Sequence, residues 1–161
     1  MFTNQRFDNW TLKSTTLSGL HNLGWEHATQ VQRDTIPIAL GGRDVIGQAR
    51  TGSGKTGAFG IPIIEACQAL GKLQALILTP TRELANQVSE EINAVKGDNP
   101  LIIETVYGGT DLEKQARKLS DGVDIIVGTP GRVMDMTKRK FIDLSNPSIL
   151  LRVRSVCVFS K

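Results

Sequence analysis

Short runs of consecutive apolar residues alternate along the chain with stretches in which apolar positions recur every three or four residues. The runs Asp44-Val45-Ile46-Gly47-Gln48, Gln74 to Thr79, Leu101 to Val106, Val123 to Val127 and Ser148 to Val153 predict strands, the first of them buried. Residues 55–70, 82–95, 111–119 and 130–138 predict the helices between them, the last with Pro130 in its first turn, and 11–23 and 29–40 predict two earlier helices. Regular alternation of apolar strands with helices predicts an α/β fold, a parallel sheet with helices on both faces. Ligands of such sheets bind at the C-terminal ends of the strands, where Ala49 to Thr56, Thr79-Pro80-Thr81, Tyr107-Gly108-Gly109 and Gly128-Thr129-Pro130 all fall. With no internal repeat, low-complexity stretch or linker, a single globular unit over residues 1–150 is expected, followed by an atypical basic tail over 151–161.

Composition narrows the class. The chain has 161 residues, 40% of them hydrophobic, enough for one core. No apolar run approaches the roughly 20 residues that span a bilayer, and the N-terminus lacks a signal-peptide hydrophobic region, so a cytoplasmic protein without membrane contact is expected. Cys67 and Cys157 stand far apart without a CxxC or His cluster, which predicts reduced core thiols and neither a disulfide framework nor a zinc site. The net charge is +3, and residues 132–161 carry seven Lys or Arg against two acids. Such a tail can contact nucleic acid or simply be a solvated end.

The stretch with the most chemistry is Ala49-Arg50-Thr51-Gly52-Ser53-Gly54-Lys55-Thr56. Gly52 and Gly54 permit backbone angles that turn successive N–H groups inward as a nest for phosphate oxygens. The helix that follows points its positive N-terminal dipole at the same place. Lys55 adds a full charge toward the β- and γ-phosphates, and the Thr56 hydroxyl is placed to ligate Mg²⁺. Ala49 stands where the usual pattern begins with Gly, a permitted variation. The plainer alternative is a glycine-rich start of a helix with a surface lysine.

Five stretches together make the chain resemble the DEAD-box family of ATP-dependent RNA helicases, from about Phe7 to about Ile149. They are Gly24-Trp25-Glu26-His27-Ala28-Thr29-Gln30-Val31-Gln32 with Ile36-Pro37, the phosphate loop, Pro80-Thr81-Arg82-Glu83-Leu84-Ala85, Tyr107-Gly108-Gly109, and Thr129-Pro130-Gly131-Arg132. The resemblance implies the N-terminal RecA-like domain of a phosphate-loop NTPase, incomplete at its C-terminus, that binds ATP or ADP with Mg²⁺. By the same resemblance Gln32 reads adenine, because a side-chain amide matches the N6 and N7 edge that guanine lacks. Trp25 and Phe7 take the family's aromatic positions at the base. Read without the family, both are large apolar residues that belong in a core, and Gln32 is an ordinary helix residue.

The three later stretches are similar to the family's RNA-contacting set: Pro80, Thr81, Arg82, Gly108, Gly109, Thr129, Pro130, Gly131 and Arg132. Arginines can bind phosphate bidentately, threonines can donate hydroxyls, and glycines let backbone amides approach a sugar-phosphate strand. No base edge is read, so the implied RNA binding is sequence-independent, weak and salt-sensitive. Each stretch also has a plain reading, as helix starts at Thr81 and Thr129, a turn at Gly108-Gly109, and an Arg82 paired with Glu83 or Glu90.

The resemblance stops after Ile149-Leu150-Leu151. The family continues with Asp-Glu-Ala-Asp, whose first two acids hold the metal and the attacking water, whereas this chain reads Arg152-Val153-Arg154 and has no Asp or Glu after Asp143. The family's Ser-Ala-Thr segment and second RecA-like domain are also not in the sequence. Phosphoryl transfer depends on metal positioning and charge neutralisation, so turnover close to nil is expected, with a frameshifted or truncated reading frame as one explanation. An incomplete sheet predicts an exposed edge or apolar face that associates with itself or a partner; the pattern Val153 to Val158 predicts an extension of the last strand. The competing functions are a non-enzymatic RNA-binding or regulatory fragment that competes with or partners a full-length helicase, a relative acting on DNA, and a small-molecule kinase, for which no arginine-bearing lid is present.

Overall fold

The computed structural model describes residues 1–153 and 156–160. Six strands form the main sheet in the order β3 (Val45–Gln48), β8 (Val156–Ser160), β7 (Ile149–Arg152), β4 (Ala75–Leu78), β6 (Ile125–Gly128), β5 (Ile103–Val106). The pairs β4 with β7, β4 with β6 and β5 with β6 are parallel, as the apolar alternation predicts. β8 runs antiparallel to both of its neighbours, so the sheet is mixed, with five strands in one direction and one reversed.

The reversal has a simple cause. β8 begins four residues after β7 ends, and a parallel return needs a crossover of about a dozen residues or more. The expected extension of the last strand through Val153 to Val158 is therefore corrected to a separate strand, although Arg154 and Ser155 within it lie outside the described residues. Residues 156–160 of the segment read as a basic tail thus lie inside the sheet, between the phosphate-loop strand and β7.

One face of the sheet is covered by α3 (Lys55–Ala66) and α4 (Arg82–Val95), with α1 (Ser14–Asn22) and α2 (Gln30–Leu40) packed around them. Phe59 of α3 stacks on Phe159 of β8 with ring centroids 6.4 Å apart. A Cβ on Gly47 would lie 2.7 Å from the Phe59 ring, so the glycine is what allows α3 to approach β3. α3 ends at Ala66 rather than Leu70, because Cys67 turns extended and the Gln74 side chain takes both backbone groups of Gln68.

The other face is covered over β4 and β6 by α5 (Leu112–Ser120) and α6 (Pro130–Lys138). Over β3, β8 and β7 the same face carries Ile46, Val158 and Leu150, which are 72%, 38% and 46% exposed. β3 is correspondingly an edge strand of alternating burial, not the buried strand expected.

A second, unexpected sheet pairs β1 (Phe2–Arg6) with β2 (His27–Thr29). It carries the chain into α2 beside the phosphate loop. Among the described residues no helix is long and apolar enough to cross a membrane.

Candidate nucleotide and nucleic-acid site

β3 ends at Gln48, the loop 49–54 follows, and Lys55 opens α3, which is the strand, loop and helix order predicted. Gly52 and Gly54 have φ of 77° and 85°, the left-handed region where other residues are strained. The Lys55 ammonium donates to the carbonyls of Ala49 and Arg50, the second at 2.7 Å, so it folds back over the loop mouth. Arg50, Thr51 and Gly52 are exposed. A dozen-residue helix therefore presents its N-terminus and a cation to an open loop of small residues, which suits a polyphosphate.

Two glycines, the N-cap Gly54 and Gly57 in the first turn of α3, explain how the loop is held. Gly54 accepts a bond from Gln32 Nε2 at its carbonyl, 3.1 Å, and a Cβ on Gly54 would meet that same nitrogen at 2.7 Å. A Cβ on Gly57 would lie 2.8 Å from the Trp25 ring and 2.9 Å from Gln32 Nε2. Trp25 and Gln32 are thus packed onto the first turn of α3. Gln32 is 2% exposed, and its Oε1 accepts the Thr29 N–H at 2.8 Å, so both halves of the amide are engaged within the protein.

Phe7 is also 2% exposed and packs edge-on against Trp10 at 5.6 Å. Its ring is enclosed in the core, the plainer of its two readings. Beside the loop, a cleft of about 300 Å³ is lined by Thr29, Gln30, Asp34, Gln48, Ala49 and Ser53 among others. The Ser53 hydroxyl there is buried without a hydrogen-bond partner.

Glu91 of α4 was not legible as a site residue, although it falls on the inward stripe with Val88 and Val95. Burial pushes the pKa of its carboxyl up, and the nearby Thr56 side chain and Gly57 backbone pull the other way.

The three other loops meet at one rim of the sheet. Arg132 donates through both terminal nitrogens to the Thr110 carbonyl at 3.2 Å and through one to Gln115 Oε1 at 3.1 Å. Gln115, which sequence reasoning missed, also donates to the Tyr107 carbonyl at 3.1 Å and so braces the Gly108-Gly109 turn. Arg82 pairs with Glu83 at 2.9 Å, and its guanidinium would stand 3.5 Å from a Cβ on Gly109. Thr81 caps α4 by accepting the Leu84 N–H, whereas the Thr129 side chain makes no cap bond at the start of α6. Pro80, Gly108 and Gly131 are exposed, and a Cβ on either glycine would meet open space. Neither glycine is required by internal packing.

The end of β7 is cationic. Arg152 and Val153 line a cleft of about 270 Å³ with Leu78, Thr79, Pro80 and Pro130. Among the described residues no cluster of three or more His, Cys, Asp or Glu is placed to hold a metal ion. Asp124, a carboxylate near the strands, is fully buried and bonded to the backbone N–H groups of Leu70, Gly71 and Ile102 and to Gln74, where it ties loops together. Among the described residues the arrangement therefore suits the phosphates and offers a metal the Thr56 hydroxyl.

Comparison with known proteins agrees with this arrangement. Residues 29–152 match the DEAD/DEAH box helicase family. The chain is 45% identical over 141 residues to DEAD-box ATP-dependent RNA helicase CshA of Bacillus subtilis, covering 87% of this chain and 28% of that protein. It is 50% identical over 125 residues to RNA helicase CrhR of Synechocystis, covering 78% and 25%. It thus spans about a quarter of the length of these relatives. Among solved structures, a DEAD box protein from Methanococcus jannaschii superposes with a TM-score of 0.85 at 39% identity, covering 91% of this chain and 40% of the other. A hypothetical ATP-dependent RNA helicase from Sulfolobus tokodaii gives 0.80 at 37% identity, covering 88% and 41%. The RecA-like fold, the phosphate loop and these matches agree: the chain belongs to the DEAD/DEAH box helicase family.

Proposed function

We propose that this chain binds ATP or ADP at Ala49 to Thr56, contacts an RNA backbone along the rim formed by Pro80, Thr81, Arg82, Gly108, Gly109, Thr129, Pro130, Gly131 and Arg132, and by itself hydrolyses little or no ATP. The observation that carries the reading is the open loop with left-handed Gly52 and Gly54 at the start of α3, closed only by Lys55. On binding, Lys55 exchanges its two loop carbonyls for phosphate oxygens, which replaces neutral acceptors by charged ones. The first N–H groups of α3 add further donors. Thr56 would hold Mg²⁺ through its hydroxyl, and the ion would supply charge neutralisation at the phosphates.

Gln32 and Trp25 hold the loop and the α3 turn from behind, and the adjoining cleft is at the small end of the range that encloses ligands. Adenine recognition by Gln32 then needs its amide to exchange the Gly54 or Thr29 bond for the base. Phe7 supports this region from the core.

At the rim, exposed Gly108 and Gly131 favour close approach of a strand, and Arg82 and Arg132 supply cations. Arg152 in the neighbouring cleft favours a second reading, an RNA-contacting module that works without nucleotide chemistry. A titration of labelled single-stranded RNA across salt concentrations separates the two. If nucleotide and RNA binding are linked, ADP or ATP shifts RNA affinity and the shift disappears in Lys55→Ala. RNA affinity indifferent to nucleotide and to Lys55→Ala supports the module, and no RNA binding at low salt contradicts both.

A further inference from the structure

The bonds that hold Arg132 decide which of its N–H groups remain available. Nη1 and Nη2 both donate to the Thr110 carbonyl, and the other hydrogen of Nη1 goes to Gln115 Oε1. Among the described residues this leaves the Nε–H and the second hydrogen of Nη2, which lie along one edge of the planar group and match two oxygens of a phosphate. Gln115 is committed at both ends of its amide. Its Nε2 donates to the Tyr107 carbonyl at 3.1 Å and to the Thr110 hydroxyl, whose own hydrogen goes to the same Tyr107 carbonyl at 3.1 Å. Turning the amide over would set its NH₂ group against the guanidinium and its oxygen against the Tyr107 carbonyl, so the two donor bonds fix Oε1 toward Arg132. α5 starts just ahead of it at Asp111, whose carboxylate accepts the N–H groups of Glu113 and Lys114.

We propose that Gln115 is a positioning residue for Arg132: it anchors Thr110 and the Nη1 side of the guanidinium together, so that the Nε and Nη2 edge is presented to a backbone phosphate of RNA. Because the same amide holds the carbonyl of Tyr107, directly before Gly108 and Gly109, the cation and the turn are kept at a fixed spacing. An arginine fixed in advance loses less side-chain freedom on binding, so its phosphate contact is stronger than a mobile cation provides. The inference rests on the RNA reading of the rim above and adds to it a residue from α5 that acts through Arg132.

The test is titration of a labelled single-stranded oligouridylate, over a series of salt concentrations, with the wild-type chain and with Gln115→Met, Arg132→Met, Arg132→Lys and the Gln115→Met/Arg132→Met pair, each checked for a cooperative melt. Arg132→Met should weaken binding about tenfold, the order expected for hydrogen bonds to a charged group, and flatten the slope of log affinity against log salt by about 0.7. Gln115→Met removes no charge, yet it should weaken binding about fivefold and flatten the slope as well, because the phosphate contact of Arg132 goes with it. When Arg132 is already Met, Gln115→Met should cost less than half as much on a logarithmic scale. Losses that add, or a Gln115→Met slope equal to that of the wild type, overturn the positioning role while leaving RNA binding intact. If Gln115→Met fails to melt cooperatively, Arg132→Lys decides, since it keeps the charge and loses the planar edge: a loss of about fivefold or more supports the role, and a smaller one overturns it. Wild-type affinity in Arg132→Met removes Arg132 from the interface and overturns the inference alone, whereas a wild-type chain that binds no RNA at low salt overturns the RNA reading and the inference together.

Discussion

Gln32 Nε2 donates to the Gly54 carbonyl at 3.1 Å, so the first turn of α2 holds the phosphate loop directly. The other end of the same amide takes the Thr29 N–H. Gln32→Ala removes the side-chain partners of two part-buried backbone groups and opens a void beside Trp25. A loss of about 1–3 kcal/mol in stability is expected, read by urea denaturation, together with weaker nucleotide binding. A variant as stable as the wild type would mean that the loop is held by other contacts.

Asp124 sits under four donors at full burial, a structural arrangement and not a catalytic one. Asp124→Asn sets an amide donor against N–H groups that need an acceptor. It should cost at least about 2 kcal/mol, while folded protein at low temperature keeps its nucleotide affinity. Lost affinity at unchanged stability would reverse this assignment.

Gly131 stands in the first turn of α6 with open space where a Cβ would be. Gly131→Ala should leave stability unchanged or raise it by up to about 1 kcal/mol, since alanine loses less backbone freedom on folding. If a strand lies against this backbone, RNA affinity falls in the same variant. With Arg82 and Arg132 as two phosphate contacts, the slope of log affinity against log salt should be about −1.4 for single-stranded RNA. A slope near zero would remove the arginines from the interface.

Ile46, Leu150 and Val158 form an uncovered apolar patch over β3, β7 and β8. Concentration-dependent association is expected, with Leu150→Lys and Ile46→Thr weakening it. Light scattering that reports one monomer mass at high concentration would count against the patch as a sticky surface.

Much of this was legible because local signals were strong. α4 and α6 start and end where the sequence places them, since Thr81 and Thr129 mark their starts and apolar spacing carries them through Val95 and Lys138. The Gly52, Gly54 and Lys55 pattern located the phosphate loop for the same reason. β8 was read as a continuation of β7 because the alternation of Val153, Val156 and Val158 carries no information about chain reversal. β1 and β2 went unread because short half-exposed strands lack a period. Gln115 and Asp124 owe their roles to partners distant in sequence, and Phe7 shows the converse, an aromatic whose motif position points to a base but whose packing points to the core.

The central claim is nucleotide binding without turnover. Titration of ATP, ADP, AMP and GTP by calorimetry with Mg²⁺, with phosphate release followed in the same samples with and without RNA, tests it directly. Binding of ATP and ADP but not GTP, lost in Lys55→Ala, with no phosphate released, is the predicted result. RNA-dependent phosphate release that disappears with Lys55→Ala would contradict it and require a carboxylate at the γ-phosphate that the end of β7 does not supply.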